Sequence, residues 1–280
     1  MDNNLQLEFS ENIKSNRKKF VKNSEIADAV LSRYIVLLSS DNVTQYIKQV
    51  FLGMLDLYGK QEKSFATDML QPIYVSAVEK VQVKKDIREK SRSIINDVYH
   101  YDYDIHNSSA QARRNARGYF LERILQSLLN HYAKDQFMSQ VKMVHDEHEK
   151  RIDFVVGVFE KFVPSDDLLY VTVKKSLRER GPQVSDEKIF LGTKILFFFY
   201  ADIKKLSDGI MTKFYNEDIV LVTYADSAKR NYEGQKNVVS YDKFFLEMLP
   251  GYLKDRKSFN ILDYGIETYH KEAQRSLNLP

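Results

Sequence analysis

Leu168-Leu169-Tyr170-Val171-Thr172-Val173 is an unbroken apolar, β-branched and aromatic run that ends on two lysines, Lys174 and Lys175. A run of this kind suits a strand buried on both faces of an α/β sheet. Side chains alternate along a strand, so Thr172 and Lys174 share one face while Val171, Val173 and Lys175 share the other. Lys174 is therefore the lysine aimed into a polar site, and Lys175 points away from it. Upstream, Arg151 to Phe159 reads as another strand with a single carboxylate, Asp153, near its start. An acid in that position is costly to bury unless it is paired or binds a cation.

Two adjacent strands, one presenting Asp153 and the next Lys174, can hold a divalent cation and a lysine about one phosphate group. Glu187 follows Lys174 with twelve residues between them, and Glu122 lies on an amphipathic helix expected over Arg117 to Tyr132. Three carboxylates and a lysine suit metal-assisted phosphodiester hydrolysis: oxygen ligands hold Mg²⁺, the metal activates a water, and Lys174 positions that water or offsets the phosphorane charge. Each residue also has a plainer reading. Asp153 can be a strand-edge acid paired with Arg151, Glu122 a surface helix residue, and Glu187 a carboxylate in the first turn of a helix begun by Ser185.

Two further features stand in order around these residues. Arg178-Glu179-Arg180 begins four residues after Lys174, and Arg117-Gly118-Tyr119-Phe120-Leu121-Glu122 sets an Arg-Gly pair shortly before a helical acid. Over about residues 110–230 the chain resembles the type II restriction endonucleases of the PD-(D/E)XK superfamily that recognise CCGG or CCNGG. Their pattern is a strand Asp, then a Lys, twelve residues and a Glu. The acid usually found two residues before the lysine has migrated to the later Glu, and Thr172 occupies the vacated position here. Ile152 replaces the proline of the superfamily's name, and Gly181-Pro182 follows the triplet where some relatives carry an aromatic residue.

The resemblance implies catalytic roles for Asp153, Lys174, Glu187 and Glu122, with Asp153, Glu187 and Glu122 as Mg²⁺ ligands. It implies that Arg178 and Arg180 read guanines and Glu179 cytosines. The residue chemistry agrees, because a guanidinium fits guanine O6 and N7 while a carboxylate accepts from cytosine N4 in the major groove. Taken alone, the triplet also fits a solvated helix start. The implied partner is double-stranded DNA with a palindromic CCGG core, cut by a homodimer or a higher assembly before the first cytosine to leave a four-base 5′ overhang. A structure-specific repair or junction nuclease of the same superfamily would share Asp153 and Lys174 without needing the triplet. A helical DNA-binding protein with structural carboxylates is a third class.

The implied fold is α/β, a restriction-endonuclease-like mixed sheet flanked by helices, with a helical N-terminal region. Residues 1–107 form that region, expected to serve dimerisation or DNA contacts, and 108–280 form the catalytic and recognition domain. Helical spacing runs from Ser24, a candidate N-cap, with a break at Ser39-Ser40-Asp41-Asn42 and a further helix from about Val75 or Ala77 through Val98. Tyr99 to Asp104 reads as a polar aromatic connection. Strands are expected near 139–145, 151–159, 168–174, Ile195–Tyr200 and Ile219–Tyr224, with helices at Asp202–Tyr215 and Tyr241–Leu249. The early helix pair fits either a helix-turn-helix reader or a packing subdomain. His145-Asp146-Glu147-His148-Glu149 fits a solvated hairpin connection better than a metal site, and His131 fits packing or a phosphate contact.

With 280 residues and 43% hydrophobic content the chain can bury a substantial core. A net charge of +3 permits nucleic-acid binding only through local clusters, such as Arg113, Arg114, Arg117 and Arg123, or Lys229-Arg230. The absence of cysteine excludes disulfides and thiolate zinc sites. No glycine-rich phosphate loop is present, so no nucleotide cofactor is expected. The start of the chain lacks the pattern of a secretory signal and the apolar runs are short, so a cytoplasmic bacterial protein without membrane partners is expected.

Overall fold

The computed structural model describes residues 17, 22–34, 38, 42–82, 87–145, 148–157, 168–174, 184–185, 187–188, 195–201 and 204–267, with side chains described outside 70–82, 87–108, 143–145 and 148. The chain divides into two compact units, residues 1–32 with 51–120, and residues 33–50 with 121–280.

The second unit is built on a six-stranded sheet in sequential order: β1 (Phe137–His145), β2 (His148–Val156), β3 (Leu169–Lys174), β4 (Leu196–Tyr200), β5 (Ile219–Thr223) and β6 (Val238–Ser240). The first three strands are antiparallel neighbours, and β3 to β6 run parallel. β1 and β2 form a hairpin closed by the pair His145↔His148, as the charged connection there suggested. The three central strands are buried along their length, which is why each reads as a continuous apolar run rather than an alternating one.

Both faces of β4 are packed with aromatic rings. Phe198 meets Phe214 edge-on at 5.6 Å, on the helix Asp208–Asn216. That helix is capped by Ser207, whose hydroxyl accepts from the Ile210 N–H at 3.4 Å. Phe199 points the other way, into Tyr241, Phe244 and Phe245 at 5.6, 4.9 and 6.0 Å. These three residues lie on one helical stretch made of Tyr241–Lys243, a π turn at Phe244–Met248 and Leu249–Lys254. Pro250 has no N–H and its ring would meet the Leu246 carbonyl in a regular helix, so the wider π turn just before it lets the helix continue. The expected end of this helix near Leu249 therefore moves to Lys254. Tyr252, carried by the extension, donates its hydroxyl to the Val156 carbonyl at 2.9 Å. Gly157 follows, where a β-carbon would run into the Leu168 side chain.

The helix Val43–Gln82 starts in this unit. Asn42 accepts from the Gln45 N–H, and Asp242 accepts from the Thr44 N–H, each at 2.8 Å. Lys48 bonds Asp226 at 2.7 Å and lies over the Tyr224 ring at 5.1 Å. In the first unit Ile26, Ala27 and Val30 of the helix Asn23–Tyr34 are buried, as are Met54, Tyr58, Phe65 and Phe120. Arg17 lies over the Phe65 ring at 5.1 Å and donates to the Ser109 hydroxyl at 2.6 Å, while Arg113 pairs with Glu62 at 3.3 Å. The helices Val43–Gln82 and Ile87–Tyr132 are thus joined by side-chain contacts within this unit.

The structure departs from the sequence reading in the helical region. Val43–Gln82 is one helix of 40 residues, and Ile87–Tyr132 is one of 46 that runs through Tyr99–Asp104 without a break. That hexapeptide contains neither Gly nor Pro, and tyrosine, histidine and aspartate are only mildly unfavourable in a helix, so nothing in it stops propagation. In the second unit, the helix expected from Asp202 begins at Asp208.

Because Phe199 fills the junction of three aromatic side chains, Phe199→Ala should lower stability by about 3–5 kcal/mol. The shift in the urea unfolding midpoint at unchanged slope measures it.

Candidate active site

Asp153 sits where the β2–β3 ladder stops. The paired register runs Val156↔Leu169, Val155↔Tyr170 and Phe154↔Val171. At the next position the acid's side chain replaces the neighbouring backbone as acceptor: Asp153 Oδ2 takes the Val173 N–H at 2.7 Å and the Thr172 hydroxyl at 3.1 Å. The strands part beyond this point, and β3 continues against β4 as far as Lys174↔Tyr200.

The alternation along β3 brings Thr172 and Lys174 to one site, as the sequence requires. Lys174 Nζ lies 3.5 Å from Asp153 Oδ2 and 3.3 Å from Glu187 Oε1. All three side chains are largely buried, at 13%, 12% and 14% exposure. The ammonium therefore compensates two carboxylates that would otherwise repel in a poorly screened environment. Glu187 is nonetheless pushed up from its ordinary pKa, chiefly by burial, with Lys174 and Thr172 opposing the shift. Its Oε2 is buried without a hydrogen-bond partner.

Glu122 enters from the helix Ile87–Tyr132, just ahead of the buried positions Ile124, Leu125 and Leu128. Gln140 of β1 donates its amide to Glu122 Oε2 at 3.4 Å. Burial raises the Glu122 pKa to about 7, the Asp153 charge adds to the rise, and Lys174 counters it. The sequence reading thus brings Asp153, Lys174, Glu187 and Glu122 into one electrostatic cluster. Thr172 and Gln140 were not singled out as functional. Thr172 was legible as Asp153's neighbour only through the strand register, and Gln140 had no signal in the sequence.

Several other readings meet the structure differently. Arg178, Glu179 and Arg180 lie outside the described residues, as does Lys175. Arg113 and Arg117 line a cleft of about 350 Å³ in the first unit with Tyr58, Glu62 and Lys63. Arg230 is tied to Asp226 at 2.8 Å on the surface. His131, exposed at the end of its helix, lies edge-on to the neighbouring Tyr132 ring at 4.8 Å.

The site stands on a fold with known counterparts. Over 97% of this chain and 91% of theirs, it superposes on two structures of metal-depleted Ecl18kI with uncleaved DNA, one carrying modified DNA, at TM-scores of 0.74 and 0.75 and 20% identity. A complex of the restriction endonuclease PspGI with substrate DNA matches at a TM-score of 0.62 and 14% identity, over 85% of this chain and 95% of that one. The chain has the restriction-endonuclease fold. No family model and no curated protein matches the sequence.

A divalent cation fits the donor set, which is all carboxylate oxygen, as hard cations require. The orphaned Glu187 Oε2 and the raised Glu122 pKa mark buried negative charge that Lys174 alone does not offset. Among the described residues no three acidic or histidine side chains stand close enough to form a closed cation cage. No helix among them is long and apolar enough to cross a membrane.

The raised pKa values have a measurable consequence in the metal-free protein. A carboxyl whose folded pKa lies above its unfolded value of 4.5 binds its proton more tightly when folded, so it favours folding most below pH 4.5. That contribution falls away as pH rises towards about 7. Glu122→Gln should flatten this part of the stability–pH profile, measured by urea unfolding in EDTA between these values. An unchanged slope would mean that Glu122 titrates normally.

Proposed function

We propose that the chain is a type II restriction endonuclease, a site-specific deoxyribonuclease that makes Mg²⁺-dependent double-strand cuts at a palindromic CCGG-containing site. The observation that carries this reading is the buried cluster of Asp153, Lys174 and Glu187, joined by Glu122, at the parting of β2 and β3. Within the CCGG group the sequence most resembles BsaWI, which favours WCCGGW, cut before the first cytosine to leave a four-base 5′ overhang. Palindromic DNA offers the same half-site twice, so a symmetric homodimer, alone or in a higher assembly, supplies one site per strand. The biological setting is restriction of unmethylated foreign DNA in the bacterial cytoplasm beside a protective methyltransferase.

Asp153, Glu187 and Glu122, which are not already gathered about one point, would have to close on Mg²⁺ to hold it, and the ion when bound would polarise the phosphate and activate a water. The protein's own part is to hold those oxygens in place. The Val173 N–H and the Thr172 hydroxyl fix one oxygen of Asp153, so its other oxygen has a defined direction. Lys174, placed between two carboxylates, presents a positive charge to the scissile phosphate and stabilises the negative charge that develops on it. The carboxylates in turn fix the ammonium, which costs no reorganisation when the phosphate arrives. Arg178, Glu179 and Arg180 read the CCGG core, and the N-terminal helical region contributes dimerisation or DNA contacts.

Discrete fragments from a CCGG-bearing plasmid, obtained with Mg²⁺ and without ATP, are the direct test. Scattered or structure-dependent cuts would favour the repair-nuclease reading, and no cleavage would overturn both. Asp153→Ala and Lys174→Ala should abolish cleavage while retaining specific binding in EDTA, and near-normal cleavage would remove them from the site. Because Lys174→Ala leaves two buried carboxylates uncompensated, it should also destabilise the fold by about 3–5 kcal/mol, and its unfolding midpoint should be recorded alongside.

Recognition is tested separately. Loss of one bidentate Arg–guanine contact costs about 1–3 kcal/mol, and two-fold symmetry doubles every substitution. Arg178→Ala, Glu179→Ala and Arg180→Ala should therefore lose discrimination between CCGG and scrambled duplexes at matched salt. An equal loss on both duplexes would make the triplet a solvated charge run.

A further inference from the structure

Gln140 has a left-handed backbone, with φ of 51°, in the middle of a nine-residue strand. That region is costly for a residue with a β-carbon, and in strands such distortions re-aim a side chain. The residue is exposed, so no buried apolar contact of its side chain repays the strain. Its place in the register is informative. Ser139 pairs with Phe154 and Val141 with Ile152, so Gln140 stands opposite Asp153, and the ladder omits this one pair.

The side chain displaced by that distortion goes to Glu122, whose Oε2 lies 3.4 Å from the Gln140 amide nitrogen. An ionised carboxylate only accepts, so it is the nitrogen and not the amide oxygen that faces charged Glu122, the form that binds a cation. The need for such a donor follows from the neighbouring charges. Asp153 repels Glu122, and Lys174 is already shared between Asp153 and Glu187. A neutral amide anchors Glu122 without adding a charge that would compete with a bound cation. It also ties a helix to a strand whose backbones are not otherwise bonded to each other by regular pairing.

We propose that Gln140 is a positioning residue: the left-handed turn opposite Asp153 carries its amide to Glu122 and holds that carboxylate where it and Asp153 bind one divalent cation. This rests on the nuclease reading for the purpose of the site, but not for the cation itself. The amide comes from β1, a strand that supplies none of the four charged residues of the cluster.

Gln140→Gly tests it, because glycine adopts the left-handed region freely and only the amide is lost. The thermal midpoint should be unchanged or raised, and duplex affinity in EDTA unchanged. Mn²⁺ binding to the DNA-free protein, read from the free-ion EPR signal, should weaken about tenfold or more, as for loss of other groups that orient metal ligands. The half-saturating Mg²⁺ concentration for cleavage should rise by a similar factor. Gln140→Asn, which keeps the amide but is one methylene shorter, should behave like the glycine variant. Wild-type Mn²⁺ affinity in Gln140→Gly overturns the proposal, as does a wild-type chain that binds no Mn²⁺. A lowered thermal midpoint in Gln140→Gly also overturns it, because it assigns Gln140 to the fold. If the wild-type chain binds Mn²⁺ but cuts no duplex, the nuclease reading fails while the EPR comparison still decides the role of Gln140.

Discussion

One hydrogen bond organises the site: the Val173 N–H donating to Asp153 Oδ2 at 2.7 Å. A backbone donor in a buried strand must find an acceptor, and where β2 leaves β3 the usual carbonyl is replaced by a side-chain carboxylate. The same bond therefore satisfies the core and buries an acid. Once Asp153 is fixed there, the charge it carries has to be met, and the period of β3 sets Lys174 on the face that meets it. Thr172, between them in sequence and fully buried, has its hydroxyl consumed by the same oxygen. The end of the β2–β3 pairing is what admits a polar cluster inside an otherwise apolar sheet.

Charge is left over in that cleft. One ammonium lies within salt-bridge distance of two carboxylates, and a third carboxylate, Glu122, feels both Asp153 and Lys174. Solvation by water would be the ordinary remedy, but burial raises both glutamate pKa values instead. Protons and a divalent cation compete for the same oxygens in such a site, since ligand carboxylates must be deprotonated to bind metal. Until a cation or protons enter, three carboxylates face one ammonium, and this imbalance supports reading the cluster as a candidate functional site rather than a structural ion pair, whose charges balance internally.

The sheet and the clustering of Asp153, Lys174 and Glu187 were largely legible in the sequence because both follow short-range rules. β3, β4 and β5 are continuous apolar runs, and period-two alternation alone assigned Lys174 to the site and Lys175 away from it. β6, only Val238–Ser240, is too short to leave a pattern, and it is placed by pairing with β5 and by Asn237, whose side chain bonds the Ile219 carbonyl. The helix expected from about Val75 or Ala77 through Val98 instead divides between Val43–Gln82 and Ile87–Tyr132, and the second of these runs on through the polar aromatic Tyr99–Asp104, because only Gly, Pro or a cap stops a helix reliably. Gln140 was illegible for a different reason. Its importance lies in one backbone dihedral and one cross-strand neighbour, and neither is encoded in residue type.

Under the nuclease reading, the spacing after Lys174 joins cutting to reading. Arg178-Glu179-Arg180 lies in sequence between Lys174 and Glu187. Those two flanking residues meet, because Glu187 Oε1 lies 3.3 Å from the Lys174 ammonium. One ammonium thus fixes both ends of the segment that carries the proposed reading triplet. Displacing either end moves a charge of the proposed site, and moving Lys174 alters the anchor of the proposed triplet. Under the nuclease reading, the migrated acid is therefore more than a substitute cation ligand. A carboxylate two residues before the lysine could serve the cation, but only one beyond the triplet can also close the recognition segment onto the chemistry.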